Sequence, residues 1–200
     1  TTGTGKGVVT LEPSAGINAT LVNSGATIGF GLTQAELDLV TTGTLRIGNT
    51  AGIGNLTIGG TGAFTNGSNW SSLILRAGSS GVAQSQAITV TNLGVESSGN
   101  VVMNNAGNNT QTFAANVTGG STLQYTDANT LIVGSVGFNG PDPIPGVTVS
   151  GITTTNANAT LTTGDAITLG DNVSVGTGVL TLDVTQNGAT QSGGSVISTT

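Results

Sequence analysis

Three carboxylates near the C-terminus are the first residues whose type and spacing could do chemistry. Asp165 and Asp171 flank one short apolar stretch, and Asp183 follows further on. Carboxylates in that order could ligate calcium or form the acid and base pair of glycoside hydrolysis. Their neighbours point elsewhere. Asp165 follows Gly164, Asp171 sits between Gly170 and Asn172, and Gly-Asp and Asp-Asn pairs are ordinary corner residues. The glycine-rich nonapeptide of calcium-binding β-rolls is absent. The wider inventory is thin as well: three Lys/Arg, nine Asp/Glu, no His and no Cys in 200 residues. Proton transfer, nucleophilic attack and metal binding all draw on clusters of those types. The expectation is a chain that is not an enzyme, with no catalytic residue, no metal ligand and no cofactor.

The aromatics are the second candidates. Phe30, Phe64, Trp70, Phe113, Tyr125 and Phe138 are spread along the chain. Most are expected to fill wide spots in a core or to end a coil. Trp70 differs, because it lies in the polar run Asn66-Gly67-Ser68-Asn69-Trp70-Ser71-Ser72. It is the one residue expected to contact a ligand, as an exposed loop aromatic meeting sugar. Gly3-Thr4-Gly5-Lys6-Gly7 superficially resembles a phosphate loop but lacks the spacing and the following helix. The sequons at Asn18, Asn69 and Asn116 are what chance supplies in a chain this rich in Asn and Thr.

Charge excludes some partners. Lys6, Arg46 and Arg76 are scattered, and a net charge of −6 opposes phosphate, so nucleic acid is not a partner. Zero cysteines rules out a disulfide scaffold and suits a chain that threads a membrane pore unfolded. Residues 1–7 carry no start Met and no signal-like apolar run, and no stretch is long enough to span a membrane. Neither terminus reads as a cap, so the expectation is one segment, 1–200, of a longer chain.

Short alternating triplets must position whatever the chain presents. Leu45-Arg46-Ile47, Leu56-Thr57-Ile58, Ile88-Thr89-Val90, Val147-Thr148-Val149, Ile167-Thr168-Leu169, Val173-Ser174-Val175 and Leu180-Thr181-Leu182 have the period of a half-buried strand. Gly, Asn or Asp follows each within a few residues, as sharp corners need. The density of Val, Ile and Thr, with a mean hydropathy of +0.21, argues against disorder. Laying Ala159–Val179 on Leu180–Thr200 matches Thr160 with Thr181, Leu161 with Leu182 and Val175 with Val196. The same register puts Ile167 over Gly188 and Leu169 over Thr190, which is poor for a core. A period of about 21 residues with two or three strands per unit predicts an all-β fold, a parallel β-helix whose coils stack at ~4.8 Å. Leu169, Val175, Leu180 and Leu182 are expected to point inward.

Two segments break the pattern. Residues 33–39 have helical spacing, with Thr33 and Glu36 as a capping box and Leu32 with Leu37 as the hydrophobic staple. Residues 139–146 hold three of the four prolines, which cannot donate to a ladder, and are expected to form a loop thrown out from the rod.

Gly31-Leu32-Thr33-Gln34-Ala35-Glu36-Leu37-Asp38, followed by Thr44-Leu45-Arg46-Ile47-Gly48, resembles a recurring element of filamentous-haemagglutinin-like exoproteins of two-partner secretion. Leu131–Val136, Gly151–Ala157 and Ala159–Leu182 are similar to the same family's repeats. The resemblance implies a right-handed β-helix, export through an outer-membrane pore partner, and display as a secreted protein at the bacterial cell surface. It implies roles in adhesion, biofilm formation or delivery of a toxin tip, with host or bacterial glycans or proteins met through distal regions. The family's Asn-Pro-Asn secretion motifs and toxin tip are not seen, so the segment is expected to be stalk, without membrane insertion. An autotransporter passenger would look the same.

Two rivals remain at this point. A polysaccharide-degrading β-helix enzyme, or a tailspike-like glycan binder, needs a groove with several carboxylates, basic residues and sugar-stacking aromatics. An ice- or mineral-binding face needs Thr-x-Thr at one position in at least four successive coils. Thr153-Thr154-Thr155 and Thr160-Leu161-Thr162-Thr163 supply at most two.

Overall fold

The computed structural model describes residues 7–25, 27, 29–52, 54–66, 69–137 and 147–199. These residues form an all-β structure whose one α-helix, Gln34–Leu37, is a single turn. A twelve-stranded and an eight-stranded sheet hold almost all the strands, and every pairing in both is parallel. The chain alternates between them: Thr44–Gly48 lies in the first, Leu56–Gly59 in the second, Ser72–Ala77 in the first, Val82–Gln84 in the second, and so on.

The registers show what the repeat is. Thr112 pairs with Asn92 and with Ile132, twenty residues away in each direction. Val101 pairs with Leu123, and Thr160 with Thr181, steps of 22 and 21. Longer steps mark inserted segments. Thr44 reaches Ser72, a step of 28 that contains residues 66–70. Val9 reaches Leu45, a step of 36 that contains the helix.

In the last repeat Thr160 and Leu161 do sit over Thr181 and Leu182. Beyond them the expected register is corrected. Ile167 pairs with Ala189 and Leu169 with Gln191, a step of 22, and Val173 pairs with Ile197, a step of 24. Extra residues enter at the corners, so Val175 does not pair with Val196. The poor match of Ile167 with Gly188 came from assuming a constant period.

Alternation fixes the interior. Leu45, Leu73, Leu93, Phe113, Val133 and Leu169 form one inward column of successive partners, all buried. Val82, Val101, Leu123 and Ala159 form another on the second sheet. Phe113 and Tyr125 meet in the interior as stacked rings, centroids 4.0 Å apart. Burying such apolar columns is the main favourable term for the fold. Leu169 and Val175 are buried as expected, while Leu180 and Leu182 pack half-buried against the same core from the edge strand.

Corners are tied in a column of their own. Leaving aside Phe30–Thr33, the residue before each second-sheet strand runs Asn18, Asn55, Gly81, Asn100, Thr122, Asn158, Val179, and each carbonyl from Asn55 onward accepts the N–H that opens the preceding strand. Asn side chains add a second tie: Asn100 Oδ1 accepts from Thr122 N–H at 2.9 Å, and Asn158 Oδ1 from Val179 N–H at 2.9 Å. Gly81 adopts φ +80°, and a Cβ there would lie 2.0 Å from Asn100 O, so glycine is required at that corner.

Candidate functional site

Trp70 is where structure and expectation part. The exposed loop placement is corrected: the indole is 3% exposed and belongs to the core. The cause lies in the helix turn. Thr33 caps Gln34–Leu37, its Oγ1 accepting from Glu36 N–H while Glu36 Oε2 accepts from Thr33 N–H at 2.9 Å. A one-turn helix leaves its last carbonyls short of partners. Trp70 Nε1 donates to Leu37 O at 3.3 Å, and Asn69 Nδ2 donates to Asp38 O at 2.6 Å. Gln34 closes the other side, accepting from Thr65 N–H at 2.9 Å and donating to Asp38 Oδ1 at 2.8 Å. Phe64 stacks on Trp70 with centroids 6.4 Å apart. Helix and loop are therefore one packed unit, and the ring that would meet sugar is spent holding it. Phe64, Phe113 and Tyr125 are buried, Phe30 is half-buried, and Phe138 lies outside the described residues.

Two of the three aspartates are engaged by hydrogen bonds. Asp165 accepts from Thr130 Oγ1 at 2.9 Å and from Asn187 Nδ2, and these donors, Asn187 first, hold its exposed carboxyl below the usual carboxylate range. Asp171 accepts from Ser135 Oγ at 2.6 Å. Asp183 stands on an exposed strand position, paired in register with Thr162. Among the described residues no three His, Cys, Asp or Glu side chains gather to hold a metal ion. The Gly3–Gly7 motif falls mostly outside the described residues.

Two polar clusters went unread in the sequence. The first is on the first sheet's outer face. Glu96 Oε2 receives Arg76 Nε at 3.0 Å and Arg46 at 3.2 Å, and Arg76 also reaches Glu12 at 3.1 Å. A depression of about 300 Å³ beside it is lined by Thr50, Glu96, Ser97, Ser98, Asn116 and Thr118. Arg76 and Glu96 are direct ladder partners, so opposite charges stack where like charges would repel.

The second cluster is interior. Asp127 Oδ2 accepts from Thr110 N–H at 2.8 Å and Tyr125 O–H at 3.0 Å, and Oδ1 from Asn129 N–H at 2.9 Å. Burial pushes the Asp127 carboxyl above its ordinary range despite these donors. Burial, and then the Asp127 charge, push the Tyr125 phenol well up. Beside them Asn108 is buried and uses both ends, accepting from Ile88 N–H at 2.9 Å and donating to Met103 O at 3.1 Å and Thr126 O at 2.9 Å. The period-two spacing of Tyr125 and Asp127 was the available signal: it puts the carboxylate on the tyrosine's inward face. These groups saturate one another, which is the arrangement of a structural network.

The outward column of the second sheet reads Thr20, Thr57, Ala83, Val102, Gln124, Thr160, Thr181. Thr162 is followed by Asp183 one step on. The four-step stack of Thr-x-Thr that an ice-binding face needs is not present in this column.

Compared with protein-family models, curated proteins and solved structures, the chain matches none.

Proposed function

We propose that this chain is a stalk segment of a secreted bacterial surface adhesin, a spacer that holds a distal tip away from the cell and does no chemistry of its own. The observation that carries the reading is the ladder: parallel strands in two sheets, most uninterrupted steps advancing 19 to 24 residues. Such a stack is read as a right-handed β-helix with coils of about 21 residues. Eight strands in the second sheet, spaced ~4.8 Å apart, give a rod of about 34 Å. Repetition of one unit makes length, and length is what a spacer needs. The resemblance of Gly31–Gly48 and Ala159–Leu182 to two-partner-secretion exoproteins supplies the remainder: export through an outer-membrane pore partner, surface display, and adhesion or biofilm roles met by other regions.

The test is binding by the segment itself. The purified chain, presented on a glycan array and on beads offered to cells and matrix proteins, is expected to bind nothing above background. Small-angle scattering should return an elongated particle. Tight, saturable binding to a glycan or a host protein would replace the spacer reading with a recognition module.

A further inference from the structure

Residues 139–146, expected as a loop thrown out from the rod, lie outside the described residues, but the strands that flank them are described. The described ends of the proline-bearing segment, Ser135–Val136 and Val149–Ser150, pair antiparallel as a ribbon. That ribbon does not stand away from the strands. It packs against Ser72–Ala77, Ile88–Ser97 and Asn109–Val117. Val136 and Val149 are buried there with Ile74 and Ala114 in an apolar cluster separate from the interior core. The sheet is shaped for it. Ile74, Gly94 and Ala114 are successive partners in one outward column. A Cβ on Gly94 would lie 3.4 Å from both Val136 and Val149 and 3.1 Å from Ile74. The ribbon's other face is tied forward: Ser135 Oγ meets Ser150 Oγ at 2.8 Å and donates to Asp171 at 2.6 Å.

We propose that this ribbon is a brace that couples parts of the stack which do not touch in the ladder. From Leu131–Val133 the ladder reaches Ser72–Ala77 only through Asn109–Val117 and then Ile88–Ser97, three steps back. In an array with nearest-neighbour coupling alone, a disturbance fades across such a distance. The ribbon crosses all three steps on the outside and holds Asp171 on the following side. It makes the middle of the rod one cooperative unit, which a load-bearing stalk would use against stepwise unzipping.

Residue-resolved hydrogen exchange tests this, comparing the parent with Val136→Ser/Val149→Ser and with Asp171→Ala. Neither variant changes a residue of a ladder strand. The brace predicts that the double variant speeds exchange in Ser72–Ala77 and Ile88–Ser97 at least tenfold, with Ala19–Val22 unchanged, and that Asp171→Ala shows the same pattern more weakly. If the double variant does not fold, Val149→Ala is read by the same criteria. Unchanged protection in Ser72–Ala77 while residues 131–152 loosen would overturn the brace and leave the ribbon a passive insert.

Discussion

Replacing Trp70 by alanine should unlock the helix turn and leave the far end of the stack intact. The ring is 3% exposed, stacks on Phe64, and donates one hydrogen bond to Leu37 O. Emptying a buried aromatic site costs about 3–5 kcal/mol. The hydrogen bond is the smaller part. Leu37 O also accepts from Val40 N–H at 3.0 Å, so losing the indole donor leaves no orphaned carbonyl. Trp70→Phe, which keeps most of the area, should therefore cost only about 1 kcal/mol. Trp70 is the sole tryptophan in the chain, so intrinsic emission reports on this site alone. The parent should emit as an apolar-site indole and resist iodide quenching. Hydrogen exchange then follows the variants. Trp70→Ala should deprotect Gln34–Leu37 and Thr44–Gly48 by two or more orders of magnitude and leave Val173–Gly176 as in the parent. A red-shifted, freely quenched parent, or a Trp70→Ala chain with parental protection at Thr44–Gly48, would refute the claim that this ring holds helix and loop together.

Asp127 gives a pH signature. Burial raises its folded pKa above the ordinary carboxylate range, so its contribution to stability is full in acid and is lost as pH rises through the raised value. Asp127→Asn should flatten that dependence above the ordinary carboxylate range, measured by urea unfolding across pH. It should also cost about 1–3 kcal/mol, because one amide oxygen cannot accept from both Thr110 and Asn129. At the helix, Thr33→Ala should cost about 1 kcal/mol through the lost cap, seen as faster exchange confined to the neighbouring strands. Glu36 runs opposite to Asp127: the Thr33 backbone N–H lowers its pKa, so the cap's contribution is present above 4.5 and fades as pH falls below it. Acid-induced loosening should therefore begin at this turn.

What the sequence disclosed follows from which forces are local. Alternating triplets, the capping box at Thr33 and Glu36, and glycine corners depend on a few neighbouring residues, and each was legible. Leu169 and Val175 could be placed inward because period two leaves no choice once a strand is assigned. Long-range pairing was not legible in the same way. The register beyond Leu161 depends on how many residues each corner absorbs, and the sequence does not fix that number. Trp70 looked exposed because its neighbours are polar, yet it and Asn69 both donate to a helix turn some thirty residues earlier. Arg46, Arg76 and Glu96 looked scattered because they are 20 to 50 residues apart, and only stacking brings them together. The loop expected at 139–146 lies outside the described residues, and only the strands that flank it are described. Val136 and Val149 hid the direction of those strands, because the apolar surface that receives them is the outward side of another strand.

Gly134 and Gly151 have a consequence for how such chains change over generations. Gly151 N–H donates to Gly134 O at 2.9 Å, so the two ends of the excursion meet at the sheet. Strand Asn109–Val117 pairs with Leu131–Val133 through its first half and with Ile152–Thr154 through its second. The ladder passes over the interruption without losing a partner. A site of that kind is a port: sequence can be gained, lost or exchanged beyond the ribbon, between Val136 and Val149, while every ladder register stays fixed. Lengthening a closed loop costs little entropy, roughly 0.6 kcal/mol for each doubling. Length changes at the port should therefore be tolerated far better than changes within the paired strands.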